Sequence, residues 1–271
     1  MTASDSPEAN PDRTPSPSPA APSRALSFDR AAAQYAAARP GYPAALFDAV
    51  EELSGRPLSG TRTIDVGAGT GISTRSLHDR GARVVAVEPG PGMAAELHRG
   101  LPGVPLVRGD GNRLPFTTAS ADLITYAQSW HWTDPSRSAP EARRVLRPGG
   151  ALALWWNVAD HEVPWVAAQD ARLRRFFGAE AGAEDTGAHG SPVRHRDLPP
   201  GLDFVHRRVP WTRRVPSATH LANLGSHSAF LVLGEAATRR FLDEEREHLA
   251  PLFPDGTVEE AYVVDLNVAI R

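Results

Sequence analysis

Two residue types are missing from this chain of 271 residues. It has no cysteine, which excludes disulfides, thiolate metal sites, cysteine nucleophiles and cysteine-held iron–sulfur clusters. It has no lysine either: all 29 basic residues are arginine. Schiff-base chemistry and a Walker-type phosphate loop both need a lysine, so neither is available. No apolar run is long enough to span a bilayer, and the N-terminus lacks the charged-then-apolar layout of a secretory signal. The histidines show no metal-ligand spacing, and no metal is expected. A formal charge of −3 offers no basic field for nucleic acid. What remains is a cytoplasmic protein acting on a small molecule, with no nucleic acid or membrane partner. The residues carry no signal for an oligomeric state.

What is present is enough apolar residue, 41%, to build a substantial core. The first 24 residues are rich in Pro, Ser, Ala and Asp and read as a disordered tail. Residues 25–271 then read as one domain. Two helices, "SFDRAAAQYAAA" and "AALFDAVEEL", form an N-terminal cap over 25–55. Strands and helices alternate from Thr61, with strands "TIDVG", "RVVAVEP", "PLVRGD", "ADLITYAQS" and "GALALWWNV"; the helix before the last of these is stopped by "RPGG". This alternation predicts a doubly wound α/β fold with a parallel sheet and right-handed crossovers over 60–158. Residues 159–233 read as a lid and acceptor region. They contain a helix at "VPWVAAQDARLRRFF", a loop over 178–201, the strand "LDFVHRRVPW" and a helix at "SATHLANLGSHS". A long helix and the closing strand "EEAYVVDLNVAI" fill 234–271.

The chemistry concentrates at "IDVGAGTG", where Gly67, Gly69 and Gly71 punctuate a strand-to-helix turn. Three acids, Asp65, Glu88 and Asp110, stand at the ends of three successive strands, one βα unit apart. In an open α/β sheet the ligand binds beyond those strand ends. Carboxylates and a glycine turn in one cleft suit a ligand rich in hydrogen-bond donors, and they would repel a triphosphate. The dinucleotide fingerprint G-x-G-x-x-G would need its third glycine at Ile72.

With "VVAVEPGPGM", "GDGNRLPF", "ADLITYAQSWHW" and "RRVLRPGGALALWW" in order and at unit spacing, the chain resembles the class I S-adenosylmethionine-dependent methyltransferases, in their small-molecule "type 11" branch. The resemblance covers Phe28 to Val158 well and the C-terminal part more loosely. It implies a mostly parallel, seven-stranded Rossmann-like sheet with a helical cap and a lid insertion. S-adenosyl-L-methionine is the cofactor it implies. Glu88 then matches the acid that takes the ribose hydroxyls, and Asp110 matches the acid beside the adenine amino group. Gly67, Ala68 and Gly69 approach the methionine end, and Asp65 faces the ammonium. Met93 lies against the adenine face, Pro89 and Gly111 also belong to the cofactor site, and Gln128 meets the cofactor near its sulfonium. Tyr35 and Arg39 close on its carboxylate. Trp130, His131 and Trp155 are expected to wall the acceptor pocket, with His131 as the candidate base for a hydroxyl or amine.

The implied reaction is methyl transfer to an oxygen, nitrogen or carboxylate of a small molecule by in-line displacement. Two other readings remain open in the residues themselves: an NAD(P)-dependent oxidoreductase with Glu88 on the ribose, and a non-catalytic S-adenosylmethionine-binding protein.

Overall fold

A computed structural model of the chain describes residues 39–178, 198–199 and 201–271. The expected N-terminal tail, the first cap helix with Tyr35, and nearly all of the loop over 178–201 lie outside those residues. The first described helix, α1 (Ala44–Ser54), buries Leu46, Phe47 and Val50, spaced to fall on one face. It ends where Gly55, at φ 66°, turns its N–H back onto the last carbonyls.

The βα alternation follows. Strand β1 (Arg62–Val66) leads to α2 (Ile72–Asp79), β2 (Arg83–Val87) to α3 (Pro91–Gly100), and β3 (Leu106–Val107) to β4 (Ala121–Ala127). A short 3₁₀ turn, Trp130–Trp132, precedes α4 (Pro135–Val145) and β5 (Leu146–Ala159). Asp134 caps α4 by accepting the Ser136 N–H at 3.0 Å. Then come α5 (Pro164–Phe177), β6 (Phe204–Pro216), α6 (Ser217–Gly225), α7 (Ser228–Leu233), α8 (Glu235–Leu249) and β7 (Thr257–Ile270).

The seven strands form one sheet in the order β3-β2-β1-β4-β5-β7-β6. Pairings from β3 through β5 are parallel. The last strand slots antiparallel between β5 and β6. The strand order reverses at β1, with β2 on one side and β4 on the other, so the C-terminal tips of these parallel strands frame the switch point of the sheet, where ligands bind in such folds.

Both faces are covered. Adjacent residues Trp155 and Trp156 show how: strand alternation sends them to opposite sides. Trp155 packs with Phe47, Leu77 and Leu97 under α1–α3, and Trp156 packs with Ile124, Tyr126 and Trp130 over α4. A separate cluster of Leu173, Leu224, Phe230 and Phe241 joins α5 through α8. No helix among the described residues is long and apolar enough to cross a membrane.

Two elements differ from the sequence reading. The "RPGG" run does stop α4, yet β5 already begins at Leu146, because the run pairs with the chain end. Gly149 N–H donates to the Arg271 carbonyl at 3.0 Å, and Arg271 N–H returns to Gly150 at 2.8 Å. The helix read at "SATHLANLGSHS" ends at Gly225 as α6, and a further helix absent from that reading, α7, starts at Ser228 after His227 turns extended at φ −73°, ψ 149°.

Candidate functional site

The glycine turn after β1 is held in a conformation that few side chains allow. Gly67, Gly69 and Gly71 sit at φ 68°, 58° and 88°, the left-handed region where a Cβ is strained. Their surroundings separate their roles. A Cβ on Gly67 would lie 2.5 Å from the Ser129 Cβ, and one on Gly71 would lie 3.0 Å from Leu97 Cγ. At Gly69 a Cβ would meet nothing within 4 Å. Gly67 and Gly71 are therefore packing glycines, and Gly69 is the open one. Ser129, whose Oγ donates to the Val66 carbonyl at 2.5 Å, is the close neighbour of the turn that sequence reasoning missed. Nothing local marks it, because it arrives from β4, 62 positions away in the chain.

Glu88, at the tip of β2, ties this turn to the next one. Its Oε2 accepts the Gly69 N–H at 2.8 Å and its Oε1 accepts the Gly90 N–H at 2.7 Å. The Ala68 N–H reaches Val87 O at 3.1 Å, and its carbonyl takes the Gly71 N–H at 2.9 Å. The Pro89 carbonyl accepts from Arg108. Met93 is buried in the first turn of α3. Between Gly69 and Gly71, the Thr70 hydroxyl is buried with no hydrogen-bond partner.

Asp110 is exposed and accepts the Asn112 N–H at 2.7 Å. Asn112 in turn accepts the Asp134 N–H at 2.7 Å, which ties this loop to the cap of α4. Gly111 leaves room for nothing larger: a Cβ there would be 2.9 Å from Thr133 and 3.0 Å from Tyr126. Gln128, just past β4, holds φ 57° without being glycine. Such a conformation costs on the order of 1–2 kcal/mol. Its backbone N–H to Trp155 O at 2.9 Å and its amide to Asn157 O at 3.2 Å hold it there. Arg39 lies half-buried, its guanidinium 3.5 Å from the Ser226 carbonyl.

Four expectations are corrected by this arrangement. Asp65 lies one residue inside β1 with no exposure, so its carboxylate does not join the other two acids at the strand tips. Its oxygens accept the hydroxyls of Thr74 and Thr125, both at 2.7 Å, making it a strut between α2 and β4. Burial pushes its carboxyl up to about 6 against the pull of those hydrogen bonds. Trp130 and Trp155, read as acceptor walls, are 1% and 0% exposed and present no surface to a ligand. Trp130 stacks edge-on against Tyr126 at 4.8 Å, and Trp155 against Tyr42 at 6.0 Å. A strand end that alternates apolar side chains does not declare which of them face the crevice. His131 is exposed, but its Nδ1 accepts the Trp156 indole N–H at 3.2 Å. A neutral imidazole has one free lone pair, and here Trp156 takes it, so the ring is placed as a donor rather than a base.

A glycine turn with one open position, an acid hooked across it and a second acid on the neighbouring tip make a cleft for a donor-rich ligand. Comparison with known proteins agrees with that chemistry. Residues 64–154 match the methyltransferase-domain family. A methyltransferase of Mycobacterium tuberculosis, itself uncharacterized, is 38% identical over 229 residues, covering 83% of this chain and 86% of its own length. A demethylmenaquinone methyltransferase of Beutenbergia cavernae is 39% identical over 106 residues, 39% of this chain and 43% of that protein. A solved structure from Anaeromyxobacter dehalogenans, assigned provisionally as a type II methyltransferase, superposes with a TM-score of 0.66 at 26% identity, covering 86% of this chain and 97% of that one. These likenesses set aside the oxidoreductase reading.

Proposed function

Since this chain belongs to the methyltransferase-domain family of S-adenosylmethionine-dependent enzymes, we propose that it methylates a small-molecule acceptor held beside the C-terminal tips of the central strands. The observation that carries the reading is the Glu88 carboxylate at the tip of β2, bonded to the N–H of the open Gly69 and to that of Gly90. The residues present fit the cofactor. Glu88 would hold the ribose hydroxyls, a charge-assisted pair. Asp110, exposed at the neighbouring tip, would take the adenine amino group over Met93 and Gly111. The open face of Gly69 and the unpartnered Thr70 hydroxyl would meet the methionine end, with Gln128 opposite. The partial match to a demethylmenaquinone methyltransferase supports a small-molecule acceptor.

When bound, the cofactor supplies a methyl group on a sulfonium, whose S–C bond breaks with its electron pair returning to sulfur. The chain's part is to hold an acceptor lone pair in line with that bond and to keep water out. A proton on the acceptor atom leaves to solvent. Orientation of this kind is worth up to about 7–11 kcal/mol in favourable systems, so the reaction does not depend on a dedicated base. That agrees with His131 having its lone pair engaged. Calorimetric titration with S-adenosylhomocysteine and, separately, with NAD tests the reading. Binding of the first at one per chain and no binding of the second is expected. Binding of NAD alone would overturn it.

A further inference from the structure

Beyond Gln128 stands a run of polar and aromatic side chains that the cofactor reading leaves unused. The Gln128 amide donates to the Asn157 carbonyl at 3.2 Å. The Asn157 side chain accepts the Trp211 indole N–H at 2.9 Å and donates to the Gly41 carbonyl at 3.4 Å. Trp211, partly exposed, stacks on Tyr262 with centroids 5.3 Å apart and planes 26° from parallel. Sheet register explains the grouping. Ala159, Tyr262 and Trp211 are directly paired across β5, β7 and β6, and Asn157 lies two residues earlier on the same face. All of these stand at the end of the sheet where β4 and β5 finish.

Asn223 on α6 completes the group. It is 5% exposed, and its amide nitrogen donates to the Tyr262 hydroxyl at 3.1 Å. Its amide oxygen is buried with no partner. With its nitrogen turned to the Tyr262 hydroxyl, the amide leaves its oxygen over. A buried acceptor without a donor is costly, about 1–3 kcal/mol, and such atoms in a native fold need an explanation.

We propose that Asn223 is the acceptor-recognition residue, and that the methyl acceptor is a planar ring molecule whose hydroxyl or N–H donates to the Asn223 amide oxygen while the ring lies beside Trp211. This assignment rests on the methyl-transfer reading above. Tyr262 acts as a positioning residue, because its hydroxyl holds the amide nitrogen. Anchoring the donor on a rigid helix–sheet contact holds the nucleophilic atom in one place, which is what in-line transfer demands.

The test uses the full chain saturated with S-adenosylhomocysteine and titrated by calorimetry with two probes of one ring shape, 2-naphthol and naphthalene. The expected result is binding of 2-naphthol about tenfold tighter than naphthalene, as for one buried hydrogen bond. Asn223→Leu should abolish that preference while S-adenosylhomocysteine affinity stays within about twofold. Trp211→Leu should weaken both probes alike. Equal binding of the two probes, retention of the preference in Asn223→Leu, or binding of octanoate and neither ring compound would overturn the proposal. Failure of the unmodified chain to bind S-adenosylhomocysteine would instead overturn the methyl-transfer reading on which it rests.

Discussion

Replacing Asp65 with asparagine should stabilise the protein at neutral pH. The carboxylate is fully buried, and its partners are uncharged hydroxyls, those of Thr74 and Thr125 with Ser73 beside them. Burial moves its carboxyl from 3.8 up to about 6. The folded state thus holds the proton more tightly than the unfolded state. The contribution to stability is intact below pH 3.8 and is lost as pH rises toward about 6. By pH 7 the loss amounts to about 3 kcal/mol, of which about 1 kcal/mol falls between pH 5 and pH 7. Asparagine has the same shape and cannot ionise; it can accept from one threonine and donate to the hydroxyl oxygen of the other. Urea unfolding of both proteins at pH 5 and pH 7 measures the effect, because histidines and other carboxylates cancel in the difference. The variant should gain about 1 kcal/mol on the parent over that interval. A difference that stays constant with pH, or one that moves in favour of the parent, would refute the reasoning.

The glycine turn predicts a contrast between two alanine variants. Gly67→Ala combines left-handed strain with a 2.5 Å clash against Ser129 and should cost about 3 kcal/mol or more in urea unfolding. Gly69→Ala meets open space, so it should cost only about 1–2 kcal/mol of stability, yet weaken S-adenosylhomocysteine binding in calorimetry. Glu260 is buried, and although burial alone would raise its carboxyl, His220 and Arg213 outweigh that and hold it below the ordinary range. Glu260→Gln removes the buried negative charge that faces Arg213 and His220 and should lower stability at pH 7 by about 3 kcal/mol; an unchanged unfolding midpoint would contradict this.

Much of the fold was legible because its signals are local. Each strand-to-helix switch is marked by a glycine, a proline or a change of period, and the acids at 88 and 110 stand where the β2 and β3 units end. The antiparallel closing strand was readable as an apolar run after a long helix. What escaped depends on contacts distant in sequence. Asp65 reads like the other two acids, and only its threonine partners, one of them 60 residues away, show that it is a strut. The Trp130-His131-Trp132 run looks like a pocket wall. Packing instead buries Trp130 against Tyr126 and sets His131 under the Trp156 indole. Asn223 and Tyr262 carry no motif, and their pairing exists only because α6 lies across β7.

The central claim is that the Glu88 carboxylate grips the sugar of the methyl donor. Calorimetric titration of S-adenosylhomocysteine into the protein and into Glu88→Ala addresses it most directly. The account predicts a loss of about 1.5–3 kcal/mol of binding free energy, the usual worth of a hydrogen bond to a charged group, in a variant that still unfolds cooperatively. An unchanged dissociation constant in that folded variant would contradict it.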